Sequence, residues 1–244
     1  MRNIKLTIEY DGTRYCGWQV QKNGLSIQKT LQDAIEDLVS HDIKLIGASR
    51  TDAGVHAKAM VANFHANSKI PAEKFPPAIN FRMPDDITVI GAEEADASFH
   101  SRYDSKGKKY GYIILNRRAP SPLFKNRAAH VPQNLDVSKM KEAAKYIIGT
   151  HDFSAFKASG SSIKNNVRTV SMLDIKKQDD IIKIEIKADG FLYNMVRIIV
   201  GTLIEIGSGK IPSDSIEDII NGKDRRKAGK TAPPQGLYLE AVYY

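Results

Sequence analysis

Alternation is the feature that most restricts this chain. Ile182, Ile184 and Ile186 stand against Lys183, Glu185 and Lys187, and Ile4, Leu6, Ile8 and Tyr10 stand against Lys5, Thr7 and Glu9. A period of two sends successive side chains to opposite faces of an extended strand, so each run reads as a strand with one face buried. Tyr110, Tyr112 and Ile114 alternate in the same way with Gly111, Ile113 and Leu115. Helical spacing lies between these strands. Ser26 is a candidate N-cap for a helix on which Ile27, Leu31, Ala34, Ile35 and Leu38 share a face. Asp136 can cap a second, carrying Met140, Ala143, Ala144 and Ile147 and closed by Gly149.

The remaining segments are expected as strands near 43–48, 58–66, 87–95, 167–176, 181–188 and 237–243, and as helices near 192–206 and 213–221. Pro71, Pro76, Pro77 and Pro84 leave room only for a short helix between them. The order strand–helix–strand–strand occurs twice, which suggests an internal duplication into halves 1–105 and 106–244. Mixed order with hairpin-like pairs favours an α+β fold, a sheet with helices on one face.

Composition narrows the setting. At 244 residues the chain can bury a real core, and its 42% hydrophobic content is that of a globular protein. No apolar run approaches the length that spans a bilayer, and the N-terminus opens directly on the first alternating run, so no membrane or secretory segment is expected. A single cysteine, Cys16, excludes an intrachain disulfide and fits a cytoplasmic setting. The net charge of +8 favours a polyanionic partner bound in a salt-sensitive way. Its cations cluster at Lys106, Lys108 and Lys109, at Arg117 and Arg118, at Arg127, and from Lys223 through Lys230.

Four side chains stand out chemically. Asp52 lies in Ser49-Arg50-Thr51-Asp52-Ala53-Gly54-Val55-His56, between two apolar segments, where Ala53-Gly54 lets the chain turn. Such a loop can be a plain turn or can present a catalytic carboxylate. Arg197 interrupts Met195-Val196-Arg197-Ile198-Ile199-Val200, on a helix apolar nearly all round and so expected to be buried. A buried cation must meet a carboxylate, reach a cleft or snorkel to water. Tyr110 is either core packing or an aromatic face for a nucleobase. Arg50, two residues before Asp52, is either a solvated loop charge or a phosphate contact. His56 has no serine or cysteine elbow to activate. The six histidines lack metal-ligand spacing, and no phosphate-cradling glycine loop is present, so neither metal nor cofactor is expected.

Arg-Thr-Asp-Ala-Gly-Val-His, residues 50–56, resembles the catalytic motif of the tRNA pseudouridine synthases of the A type. Tyr10-Asp11-Gly12-Thr13, Tyr15, Gly17-Trp18-Gln19 and Gln28 resemble that family's opening signature. Phe99-His100, Arg102 and Tyr110-Gly111-Tyr112 resemble its tyrosine motif. Asp152-Phe153 with Phe156, Arg168-Thr169, Phe191-Leu192 with Met195-Val196-Arg197, and Gly236-Leu237-Tyr238-Leu239 follow in order. The resemblance covers essentially the whole chain. It implies two similar α/β halves, mixed antiparallel sheets with helices around a central cleft, and a homodimer. It further implies isomerisation of uridine at positions 38, 39 and 40 of the tRNA anticodon stem-loop, without a cofactor. Asp52 would be the catalytic residue and Arg197 its cationic partner, with Tyr110 in the pocket and Arg50 near the backbone or the gap left by a flipped base.

Two positions depart from the family pattern. Ser49 stands where glycine is usual, and Gly111 stands where arginine is usual. Two rival functions stay open at this point. One is a folded basic protein that holds tRNA without modifying it. The other is a glycosidase-like hydrolase, although such enzymes usually pair two carboxylates across the bond and no second acid sits in a comparable motif.

Overall fold

A computed structural model describes residues 1–22, 24–160 and 163–244. It divides into two compact units, Met1–Lys106 with Tyr238–Tyr244, and Gly107–Leu237.

The first unit holds β1 (Arg2–Tyr10), α1 (Ile27–Val39), β2 (Ile46–Gly47), β3 (His56–Ala66), α2 (Phe75–Asn80) and β4 (Ile87–Ala95). The central strand β1 lies antiparallel to β3 and β4, and β2 lies antiparallel to β3. Ile4, Leu6, Ile8 and Tyr10 are buried, as the alternation requires. The Ser26 side chain accepts from Lys29 N–H and caps α1, whose Ile27, Leu31, Ala34 and Ile35 are buried. Pro76 and Pro77 fall in the first turn of α2, where a missing N–H costs nothing.

The strand expected over 43–48 is only two residues long, for a specific reason. Side chains of α1 take the backbone groups that a neighbouring strand would otherwise use. Ile43 N–H donates to Glu36 Oε1 at 3.2 Å, Leu45 N–H to Gln32 Oε1 at 3.4 Å, and Gln28 Nε2 to the Leu45 carbonyl at 2.9 Å. The core here also contains a polar group. Asn63 Nδ2 donates to Asn3 Oδ1 at 2.9 Å, and its Oδ1 accepts from Ser101 N–H at 2.9 Å, so these buried amides are satisfied.

The second unit holds β5 (Gly107–Leu115), β6 (Ala129–His130), α3 (Val137–Lys145), β7 (Gly149–Asp152), β8 (Val167–Gln178), β9 (Ile181–Ala188), α4 (Met195–Gly207) and α5 (Ser215–Gly222). β9 lies antiparallel between β5 and β8, β7 pairs antiparallel with β8, and β6 runs parallel to β5. Tyr110, Tyr112 and Ile114 oppose Ile186, Ile184 and Ile182, so two alternating runs meet on one buried face. Asp136 Oδ1 accepts from Ser138 and Lys139 N–H and caps α3.

Two helix ends differ from expectation. α3 stops at Lys145 because Tyr146 N–H turns back to Ala143 and Ala144, and Gly149 opens β7 instead of closing the helix. α4 begins at Met195, since Asn194 takes a left-handed φ of 59° that breaks the helical path.

The last strand, β10 (Leu237–Tyr243), runs parallel to β3 through Tyr238–His56 and Leu239–Ala57. Within the first unit β1 lies between β4 and β3, and β3 also pairs with β2; within the second the order is β5-β9-β8-β7, with β6 also paired to β5. Each unit holds a parallel pair among its antiparallel ones, β3 with β10 in the first and β5 with β6 in the second, a mixed arrangement that an α+β fold allows.

Candidate active site

Asp52 lies between β2 and β3, half-buried, at the tip of a connection held by its neighbours. Gly17 forms a β-bridge with Asp52, and Trp18 N–H donates to the Thr51 carbonyl at 3.0 Å. Gly17 has φ 109°, and a Cβ there would lie 2.5 Å from the Thr51 oxygen. Only glycine gives the backbone this approach. The Thr51 hydroxyl is hydrogen-bonded to the buried Tyr10 hydroxyl at 2.7 Å. Val55 N–H returns to the Asp52 carbonyl at 3.2 Å, and Gly54 has φ 76°, which closes the turn expected from Ala53-Gly54. A carboxylate on a loop fixed by buried bonds is preorganised for chemistry.

His56, at the loop's end, is 1% exposed and has a structural setting. Its ring stacks on Tyr238 with centroids 4.7 Å apart, and its Nδ1 accepts from Gly12 N–H at 3.1 Å. Arg50 is exposed on the same loop as Asp52, and its guanidinium donates to Gln19 Oε1 at 3.2 Å. The structure thus brings Arg50 and Asp52 onto one short segment, with Arg50 turned toward the Gly17-Trp18-Gln19 stretch.

Tyr110 and Arg197 belong to the second unit. Tyr110 is the fourth residue of β5, 6% exposed, and its ring meets Phe191 edge-on at 5.2 Å. Its neighbour Tyr112 is fully buried, with its hydroxyl donating to the Pro233 carbonyl at 2.7 Å. Burial pushes the Tyr112 phenol well above its ordinary pKa. Tyr112 is therefore a core residue and Tyr110 the one of the pair at the start of the 191–197 segment.

Arg197 is half-buried in the first turn of α4, not fully buried as the apolar run implied. Its Nε donates to the Ala232 carbonyl at 2.8 Å and its Nη1 to Asn194 Oδ1 at 2.7 Å. Ala232 N–H donates back to the Arg197 carbonyl at 3.0 Å. Two oxygens on different sides of the guanidinium fix its plane and aim, which a snorkelling arginine would not need.

Sequence reasoning missed Asn194, although a polar residue just before an apolar helix is a recognisable cap signal. It also missed the Tyr10–Thr51 bond, which joins residues 41 positions apart and leaves no local pattern. Among the described residues, no group of three or more His, Cys, Asp or Glu is arranged to hold a metal ion, and no helix is long and apolar enough to cross a membrane.

The family model described as tRNA pseudouridine synthase matches residues 6–104 and 143–244. The relative named tRNA pseudouridine synthase A in Thermoanaerobacter sp. (strain X514) is 57% identical over 244 residues, covering all of both chains. Its namesake in Acetivibrio thermocellus is 54% identical, and tRNA pseudouridine synthase A 2 of Clostridium perfringens is 51% identical, again over the full length of both. With its aspartate loop built as described and these matches along its length, the chain belongs to the tRNA pseudouridine synthase family.

Proposed function

We propose that this chain isomerises uridine to pseudouridine at positions 38, 39 and 40 of the tRNA anticodon stem-loop. The observation that carries the reading is Asp52, set in Arg-Thr-Asp-Ala-Gly-Val-His on a loop fixed by buried contacts, in a member of this family. The reaction breaks the C1′–N1 bond, turns the uracil, joins C5 to C1′, and moves the C5 proton to N1 through a base and solvent. Reactant and product have the same composition, so no oxidant, reductant or group donor is consumed. Stacked uridine is out of reach, and the base must leave the helix before reacting.

Asp52 performs the first step, by attack on the sugar or base or by taking a ribose proton. Arg197 is the cationic residue assigned to act with Asp52 in catalysis, and its two fixed acceptors support such a directed role. Tyr110 supplies the aromatic face for the flipped uracil, and Arg50 contacts the backbone around the vacated position. The tasks divide between the two units, Met1–Lys106 with Tyr238–Tyr244 contributing the aspartate loop and Gly107–Leu237 the tyrosine and arginine. The basic clusters recognise tRNA by its backbone and shape. Gly111 is buried on β5 opposite Glu185, so the arginine usual in the family would need a different setting there. We place the enzyme in the cytoplasm, acting as a homodimer, which sedimentation should report as twice the 27.1 kDa chain mass.

The test is incubation with unmodified tRNA transcripts, followed by carbodiimide labelling and primer extension. New stops confined to positions 38–40 are expected. Their absence, or stops elsewhere in the tRNA, would overturn the site assignment.

A further inference from the structure

The segment that holds the Asp52 loop is itself fastened from outside, and the fastening converges on one carboxylate. Asp86 lies just before β4, where Ile87 pairs with Tyr10 at the end of β1. Its carbonyl accepts from Asp11 N–H at 2.9 Å, which extends the ladder by one step as the chain leaves the strand. Its side chain then takes two short bonds. The Tyr15 hydroxyl donates to Oδ1 at 2.6 Å, and Arg14 Nε donates to Oδ2 at 2.6 Å.

Tyr15 is 3% exposed, so its ring is sealed in the core while its hydroxyl ends on this acid. A buried phenol needs a partner, and here that partner sits on a different element. Arg14 contributes less, because its side chain is 66% exposed and water screens the pair. The pull of Arg14 and Tyr15 outweighs the effect of burial and leaves the Asp86 carboxyl below the usual range, consistent with an ionised acceptor.

On its other side the same segment touches the catalytic loop repeatedly. Gly12 N–H meets His56, Gly17 bridges Asp52, and Trp18 N–H holds the Thr51 carbonyl. Residues 12–18 are thus a brace, with the Asp52 loop on one side and the Asp86 anchor on the other. We propose that Asp86, acting through Tyr15, is a positioning residue that sets where Asp52 stands during uridine isomerisation. The inference rests on the function proposed above and adds to it an anchor outside the Arg-Thr-Asp motif. Small misplacements of a reacting group cost rate without costing affinity, about 100-fold for 1 Å.

The test compares the wild type with Asp86→Ala, Tyr15→Phe, Arg14→Met and the double variant Asp86→Ala/Tyr15→Phe. Single-turnover tritium release from C5-labelled tRNA is measured well below each variant's melting temperature, together with tRNA Kd. The Trp18 amide is followed by hydrogen exchange. Asp86→Ala and Tyr15→Phe should each slow release by about 10- to 100-fold with Kd within twofold of wild type, and the double variant should be no slower than the slower single. Arg14→Met should stay within about threefold of wild type. Exchange at Trp18 should accelerate in both slow variants more than at core amides of β1, and Tyr15→Phe carries the test if Asp86→Ala folds too poorly.

Full-rate release and unchanged Trp18 protection in folded Tyr15→Phe would overturn the proposal. So would a lowered melting temperature with an unchanged rate, the mark of a purely structural contact. Failure of the wild type to release tritium would instead refute isomerisation, and the exchange data would still report on the brace.

Discussion

Gly201→Ala tests how Arg197 is held. Gly201 faces the 229–232 segment from α4, and a Cβ built on it would lie 1.6 Å from the Lys230 carbonyl oxygen. Ordinary contact begins near 3.4 Å, so the segment must retreat by about 2 Å. Besides the exposed bond from Lys230 N–H to Glu205 Oε1 at 3.1 Å, which water can replace, three bonds tie it to α4. Gly229 N–H donates to Thr202 Oγ1 at 2.9 Å, Ala232 N–H to the Arg197 carbonyl at 3.0 Å, and Arg197 Nε to the Ala232 carbonyl at 2.8 Å. Two are neutral, worth about 1 kcal/mol each, and the third is charge-assisted, about 1.5–3 kcal/mol. Alanine returns about 1 kcal/mol of helix propensity. The net loss is about 2–4 kcal/mol, which lowers the melting temperature of a chain this long by about 5–15 °C. The released guanidinium should also slow turnover by about 100-fold at temperatures where the variant stays folded. Calorimetry and single-turnover tritium release read the two effects separately. Gly91→Ala is the control, since its methyl would meet nothing nearer than Thr7 Cβ at 3.9 Å. A Gly201→Ala protein melting within about 2 °C of wild type and turning over at full rate would refute this reasoning.

Other consequences follow from the same geometry. Tyr112→Phe leaves the Pro233 carbonyl without its donor and should destabilise the chain by about 1–3 kcal/mol, measured by denaturant titration, with little effect on the rate at low temperature. The Ser154 hydroxyl, and after it Lys223, hold the Asp152 carboxyl below the usual range. A depressed carboxylate stabilises the fold above its unfolded pKa, and that contribution is lost as pH falls through the folded value. The melting-temperature gap between wild type and Asp152→Asn should therefore be widest near neutrality and close as pH drops below about 4. A gap that widens in acid would contradict the assignment. Binding of tRNA, followed by filter retention, should weaken steeply from 50 to 200 mM salt, and neutralising Arg117 and Arg118 together should lower the slope of log K against log salt by about 2.

Much of the fold is legible in the sequence because one-sided burial leaves a periodic trace. β4, β8, β9 and β10 begin at their expected starts, β1 begins two residues before its first alternating residue, and the Ser26 and Asp136 caps are where their side chains suggest. The short β2 is not legible, because Glu36, Gln32 and Gln28 intercept its backbone groups from α1, a tertiary event. Nor is the four-residue edge strand β7, too short to show alternation. Of the candidate functional residues, Asp52 is legible as a carboxylate in a Gly turn and Arg197 as a cation in an apolar helix. The bonds that aim them are not. Thr51–Tyr10, Arg197–Ala232 and Tyr15–Asp86 join positions 41, 35 and 71 residues apart, and no local pattern encodes such pairs.

The central claim is that Asp52 carries out uridine isomerisation in tRNA. Tritium release from tRNA labelled at uridine C5 tests it most directly, with wild type and Asp52→Ala assayed side by side and tRNA binding measured on both. Release by the wild type, its loss by at least about 100-fold in Asp52→Ala and equal tRNA affinity are expected. Binding by both proteins with release from neither would leave a protein that holds tRNA without modifying it, and free uracil in place of retained, isomerised base would make it a hydrolase.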